Sequence, residues 1–197
     1  MPTLNGLKDF RRAAGASLFV GAVLFVIGMH LAEYLYPDYS VSMNFISDLG
    51  ATCRSTCTIY QPSASIFNFS VILLGLLILS CSYFIWREFR SSLITVLFCL
   101  SGLGAIGVGL FPETAGFLHM IVSFMTFFFG GLGAIAAAKI VKSPFSYFSI
   151  LMGIASITAL FLYGANIYLG LGPGGMERMI AYPVILWAIS FGGYLMS

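Results

Sequence analysis

Six long apolar stretches separated by short polar breaks set the pattern of the chain, near residues 14–36, 64–86, 92–111, 117–138, 145–170 and 178–196. A hydrocarbon core about 30 Å thick takes roughly 20 apolar residues per helix, and all six stretches are of that order. Charge gathers between them, at Arg87, Glu88 and Arg90 and at Lys139 and Lys142, where it avoids the cost of bilayer depth. The pattern predicts an all-α fold, a polytopic membrane helical bundle of six transmembrane helices built by residues 1–197 as a single domain. Lys8, Arg11 and Arg12 precede the first stretch as they would a secretory signal. The stretch is longer than a signal's apolar core and lacks a small-x-small cleavage site, so it reads as a retained span.

Composition agrees with lipid as the solvent. The chain is 59% hydrophobic and 8% charged, whereas soluble domains carry about 25% charged residues. A net charge of +2, scattered over short loops, leaves no electrostatic footprint for nucleic acid. The basic residues do fix an expected orientation. With the N-terminus inside, Lys8, Arg11, Arg12, Arg87, Arg90, Lys139 and Lys142 are cytoplasmic and only Arg54 and Arg178 are external, which predicts an N-in/C-in protein of the cell membrane.

One connection, residues 37–63, is long and is expected on the external side. Long loops in compact folds tend to carry function. It holds Cys53 and Cys57, for which an oxidising side favours a disulfide over two free thiols. Cys81 and Cys99 fall within spans and read as small packing residues. Ser101, Ala105 and Gly109 form a stripe of small residues expected to make an interhelical seam, as do Gly130, Gly131, Gly133 and Ala134. Trp86 and Trp187, with Tyr34, Tyr36, Tyr39 and Tyr60, suit aromatic belts at the two interfaces.

The polar residues that remain concentrate at one end. Apart from Asp9 and Glu88, every acid lies in the expected outer half: Glu33, Asp38, Asp48, Glu113 and Glu177, together with His30 and His119. His119, Ser123 and Thr126 are spaced four and three apart, a polar stripe down one helix face. Asn68 with Ser65, and Asn166 with Tyr163, are further pairs at helical spacing. Ionisable residues in a membrane are functional candidates by default, and the bland alternative is a salt bridge from Arg178 to Asp48 or Glu113 that pins the loop.

Several of these residues carry a resemblance. Tyr39 and Ser40, the run Ile46-Ser47-Asp48-Leu49-Gly50, Asn68, Phe111-Pro112-Glu113, His119, and Gly174-Gly175-Met176-Glu177-Arg178 with Pro183 and Trp187 resemble the domain-of-unknown-function family numbered 998. The resemblance covers nearly the whole chain and implies six spans with these motifs external. Ile-Ser-Asp-x-Gly after the first span, with a His opening a later one, is more distantly similar to the Frag/DRAM/Sfk family, which implies a link to lipid remodelling. His30 departs from the family pattern.

The leading chemical expectation is an outer pocket for a membrane lipid headgroup, bound or modified. Catalytic candidates are His119, Asp48, Glu113 and Glu177, since a carboxylate-oriented His serves as a general base near neutral pH. Ligand-binding candidates are Arg178, Asn68, Ser47 and Ser123; Arg178 suits a phosphate or carboxylate head, and Ser47 or Ser123 a nucleophile. No metal is expected; if there is one, His30 and His119 are its ligands, and the same pair is the only one available to clamp a haem. Non-enzymatic alternatives are an accessory or structural subunit with a membrane-protein partner or as a homo-oligomer, and a small transporter. Transport is disfavoured because the charges crowd one face.

Overall fold

The computed structural model describes residues 4–54 and 56–197, with side chains from Phe10 onward. Lys8, counted above among the basic residues, has its side chain outside the described ones. Six helices carry the fold: α1 Leu4–Leu35, α2 Ser63–Phe89, α3 Ser92–Leu110, α4 Phe117–Ala137, α5 Phe145–Gly164 and α6 Gly172–Met196. Each contains an apolar segment long enough to cross a membrane. The chain is a multi-pass membrane protein.

Three boundaries differ from the sequence pattern, each for a local reason. α1 begins before its apolar run, because the polar segment with Lys8, Arg11 and Arg12 continues the same helix. α5 ends at Gly164, well short of residue 170. Ile167 and Leu169 extended the apolar run, but Asn166, Leu169 and Gly170 adopt positive φ and turn the chain instead. α6 opens at Gly172 with a proline in its first turn, a position that suits proline because the missing N–H has no intrahelical partner there. Glu177 and Arg178 therefore sit in the second turn of α6 and not at its opening.

Consecutive helices are neighbours, and α6 closes the ring onto α1 while also touching α4. The first turns of α1 and the last turns of α6 share one face, where Arg11 Nη2 donates to the Tyr194 carbonyl at 3.1 Å. The core has two layers. Beneath the terminal face, Leu18, Cys81, Ile85, Phe98, Trp187 and Phe191 pack together; toward the opposite face, Phe25, Met29, Leu49, Phe67, Val71 and Ala105 do. Trp187 belongs to the first layer and to no interfacial belt: it is 2% exposed, stacks on Phe191 and donates its indole N–H to Ser149 Oγ at 2.9 Å. Trp86 does sit at the rim, with the Arg90 guanidinium over its ring.

The stripe of Ser101, Ala105 and Gly109 is divided between two partners instead of forming one seam. Ser101 donates to the Thr126 carbonyl on α4, whereas Gly109 backs onto Asn68 of α2. α3 is thus wedged between α2 and α4, and Gly102 packs directly against Gly75 of α2. Cys81 packs fully buried, and Cys99 Sγ lies 2.8 Å from Ser82 Oγ.

The loop 37–63 folds over the face opposite the termini. Cys53 and Cys57 form a disulfide, framed by the paired backbones of Thr52 and Thr58. Upstream, the turn through Ser42 and Asn44 lies directly on the start of α6, where Gly174 N–H donates to the Ser42 carbonyl at 2.9 Å. A Cβ on Gly174 would strike the carbonyls of Asn44 and Val41, so glycine there is required by the close approach.

Candidate functional site

Two polar clusters sit side by side under this loop, and they do different work. The first is a clasp centred on Arg178. Its Nη1 donates to the carbonyls of Val41, Asn44 and Gly174 at 3.0, 3.2 and 3.0 Å. Its Nη2 reaches Glu33 Oε1 and the Tyr39 hydroxyl, both at 2.6 Å. Tyr39 in turn donates to the Phe45 carbonyl at 2.8 Å. Burial pushes the Tyr39 hydroxyl far above its ordinary range, so it keeps the proton that this bond needs. The expected partners of Arg178, Asp48 and Glu113, are replaced by Glu33, and the guanidinium is committed to the fold instead of being free for a headgroup.

Asp48 is likewise occupied in shaping the loop. Its Oδ2 accepts from the Phe45 N–H at 2.7 Å, Asn44 Nδ2 at 3.2 Å and Arg54 Nη2 at 3.0 Å. These bonds fix the turn that leads into the short 3₁₀ segment Ser47–Leu49. Asn68 faces Gly50 with its carbonyl buried and unpartnered. Neither residue lines the cleft described next. His30 is exposed on the outside of α1 and bonds the Val26 carbonyl of its own helix, so it does not meet His119. Among the described residues no group of three or more His, Cys, Asp or Glu is placed to hold a metal.

The second cluster lines a cleft of about 700 Å³ between α4, α5, the start of α6 and the loop. Its polar wall is formed by Ser47, Glu113, His119, Ser123, Tyr163 and Glu177. Glu113 Oε1 accepts from Ser47 Oγ at 2.8 Å, and Oε2 from the Cys53 N–H at 3.1 Å. Burial raises the Glu113 pKa, aided by the charge of Asp48, against the lowering effect of the bonds from Ser47 and Cys53 and of nearby His119. Glu177 Oε2 accepts from the Ile46 N–H.

His119 is held by a bond that also fixes its tautomer. Nδ1 lies 2.7 Å from the Phe111 carbonyl, and a carbonyl only accepts, so Nδ1 carries the proton. In the neutral ring Nε2 is then a bare acceptor, and Ser123 Oγ lies 3.3 Å from it. The four-residue spacing on α4 makes this contact. The pair has the order of a nucleophile and its base, with a backbone carbonyl as the orienting group.

The opposite wall is apolar and opens sideways. Met120 and Phe124 on α4 and Phe161 on α5 line the cleft, yet Met120 and Phe161 are 59% and 61% exposed on the bundle's outer surface. A narrower void continues beneath, past Glu177 and Ser123 to Thr126, Val184 and Ala188. Along α4 the cleft runs from His119 to Phe127, about 12 Å at 1.5 Å per residue.

The sequence reading missed the aromatic lining at Phe45, Phe124, Phe127 and Phe161; nothing distinguishes these from the other phenylalanines before the helices are arranged. Tyr163 had been singled out by its spacing from Asn166, but Asn166 instead accepts from Tyr168.

Fold and cleft together define a six-helix, multi-pass membrane protein with an amphipathic recess near one end of the bundle. Residues 19–194 match the model of the family described as protein of unknown function DUF998, and the chain belongs to that family. No curated protein and no solved structure matches it.

Proposed function

We propose that the protein binds a membrane amphiphile in this cleft, with its polar head against Glu113, His119, Ser123 and Glu177 and its tail leaving between α4 and α5 into the bilayer. The observation that carries the reading is the pairing of a buried polar wall with an apolar wall open to the side. A ligand drawn from water needs no lateral exit, whereas a lipid does. Volume agrees, since small-molecule sites occupy roughly 300–1,000 Å³. In this reading the terminal face, with its excess of Arg and Lys, is cytoplasmic. The cleft then lies in the outer leaflet of the cell membrane.

The alternative, a polar cluster that only pins the loop, accounts for Arg178, Glu33, Tyr39 and Asp48. It does not account for His119 and Ser123, which bond the Phe111 carbonyl and each other and form no hydrogen bond to the described residues of the loop. Conduction through the bundle is disfavoured by the apolar layer of Leu18, Ile85, Phe98 and Phe191 beneath the cleft.

Native mass spectrometry of protein extracted in a mild maltoside tests the proposal. A retained lipid is expected, displaced in Ser123→Phe, which fills the cleft, and weakened in His119→Ala at near-native thermal stability. A bare wild-type chain, or lipid occupancy that both variants leave unchanged, would overturn it.

A further inference from the structure

Resting on the amphiphile-binding reading, we infer that the head accepted by the cleft is a primary ammonium, bound at Glu177, and not a phosphate. Glu177 is 8% exposed and lines both the cleft and the narrower void below it. Its Oε2 is engaged by the Ile46 N–H, while Oε1 accepts no bond from any described residue. A carboxylate at that depth calls for a donor, and burial makes an unpaired charge costly.

The cations of the neighbourhood do not supply it. Arg178, next in sequence, points into the clasp with Glu33 and Tyr39. Arg54 is bound to Asp48 and lies over the Phe45 ring. Neither lines the cleft. The serine hydroxyl protons are spent as well, Ser47 on Glu113 and Ser123 on His119. What faces the ligand is therefore dominated by carboxylate acceptors, Glu177 Oε1 and the remaining lone pairs of Glu113, with the Tyr163 hydroxyl beside them able to accept as well.

An ammonium brings three donors and no acceptor, the complement of that set. A phosphate brings only acceptors and like charge. The rings of Phe45 and Tyr163, packed edge to face at 5.8 Å, line the same end and add attraction for a cation.

The test compares dodecylamine, dodecyl phosphate, dodecyl glucoside and butylamine by native mass spectrometry on the intact wild-type protein in maltoside. Dodecylamine is expected to bind tighter than the phosphate and the glucoside by roughly tenfold or more. In Glu177→Gln that advantage, read as the ratio of dodecylamine to dodecyl glucoside binding, should vanish. The head-group series is read on the native protein, so it stands even if the variant fails to fold. Equal binding of all three heads, a preference for phosphate or glucoside, or an ammonium preference that a folded Glu177→Gln retains would overturn the inference while leaving amphiphile binding intact. Butylamine binding as tightly as dodecylamine would keep the ammonium and overturn the amphiphile reading. No binding by any of the four would overturn both.

Discussion

Arg178 Nη2 lies 2.6 Å from Glu33 Oε1, which ties the second turn of α6 to the last turn of α1. The two residues are 145 positions apart in the chain, and between them passes the loop segment whose carbonyls the same guanidinium gathers. The pair is a fastener for the whole face.

Removing one partner strands the other in a buried setting, which costs roughly 3–5 kcal/mol. Arg178→Met should therefore lower the melting temperature sharply, and Arg178→Lys should recover only part of it, because an ammonium cannot serve three carbonyls, a carboxylate and a phenol from one plane. The double variant Glu33→Gln/Arg178→Met should be less unstable than the sum of its singles. Additive losses in a thermal-unfolding cycle would show that the pair is not coupled.

The α2 and α3 backbones meet at Gly75 and Gly102, where a Cβ on Gly75 would stand 2.6 Å from the Gly102 carbonyl. Gly75→Ala should cost roughly 1–3 kcal/mol through overpacking. Gly193 on α6 has nothing within 4 Å of its would-be Cβ, so Gly193→Ala should be neutral or gain up to about 1 kcal/mol in helix propensity. Equal effects of the two changes on detergent-phase melting would refute the crossing as a site of tight packing.

Much of this architecture is legible in the chain because lipid imposes a simple rule on helix length, and the six apolar runs obey it. The fifth and sixth boundaries were hidden, since Ile167 and Leu169 look like span residues although the positive-φ positions there make a turn. Within the site, His119 and Ser123 were readable as a pair because both lie on one helix at a fixed spacing. Glu33 with Arg178 was not, because their meeting depends on α6 closing the ring onto α1. Asp48 and Asn68 were drawn to the site by residue type, by the family motif and, for Asn68, by its spacing from Ser65. Their placement turns on how the loop folds over Gly174 and Gly50, and no local periodicity records that.

The disulfide closes a ring across only four positions, so its loss should cost about 2 kcal/mol on chain-entropy grounds. The larger consequence should fall on the cleft, because the Cys53 N–H holds Glu113. Cys53→Ser/Cys57→Ser is expected to remain folded but to retain less amphiphile in native mass spectra. Undiminished retention would separate the ring from the site.

Glu113 gives the site a pH dependence whose sign can be worked out. Burial raises its pKa above the ordinary 4.5, so the folded protein holds a proton that the unfolded chain has released. Stability from this group is complete below 4.5 and is lost as pH rises through the raised folded value. Its neighbours Ser47 and Cys53 donate to the carboxyl and oppose the shift. Wild-type melting temperature should therefore decline as pH is raised from about 4 toward 7, and Glu113→Gln, with nothing to titrate, should show a shallower decline. Ammonium binding should move the opposite way, strengthening as Glu113 ionises and losing that trend in the glutamine variant. Parallel melting curves for the two proteins across this range would mean that Glu113 titrates alike in the folded and unfolded chain.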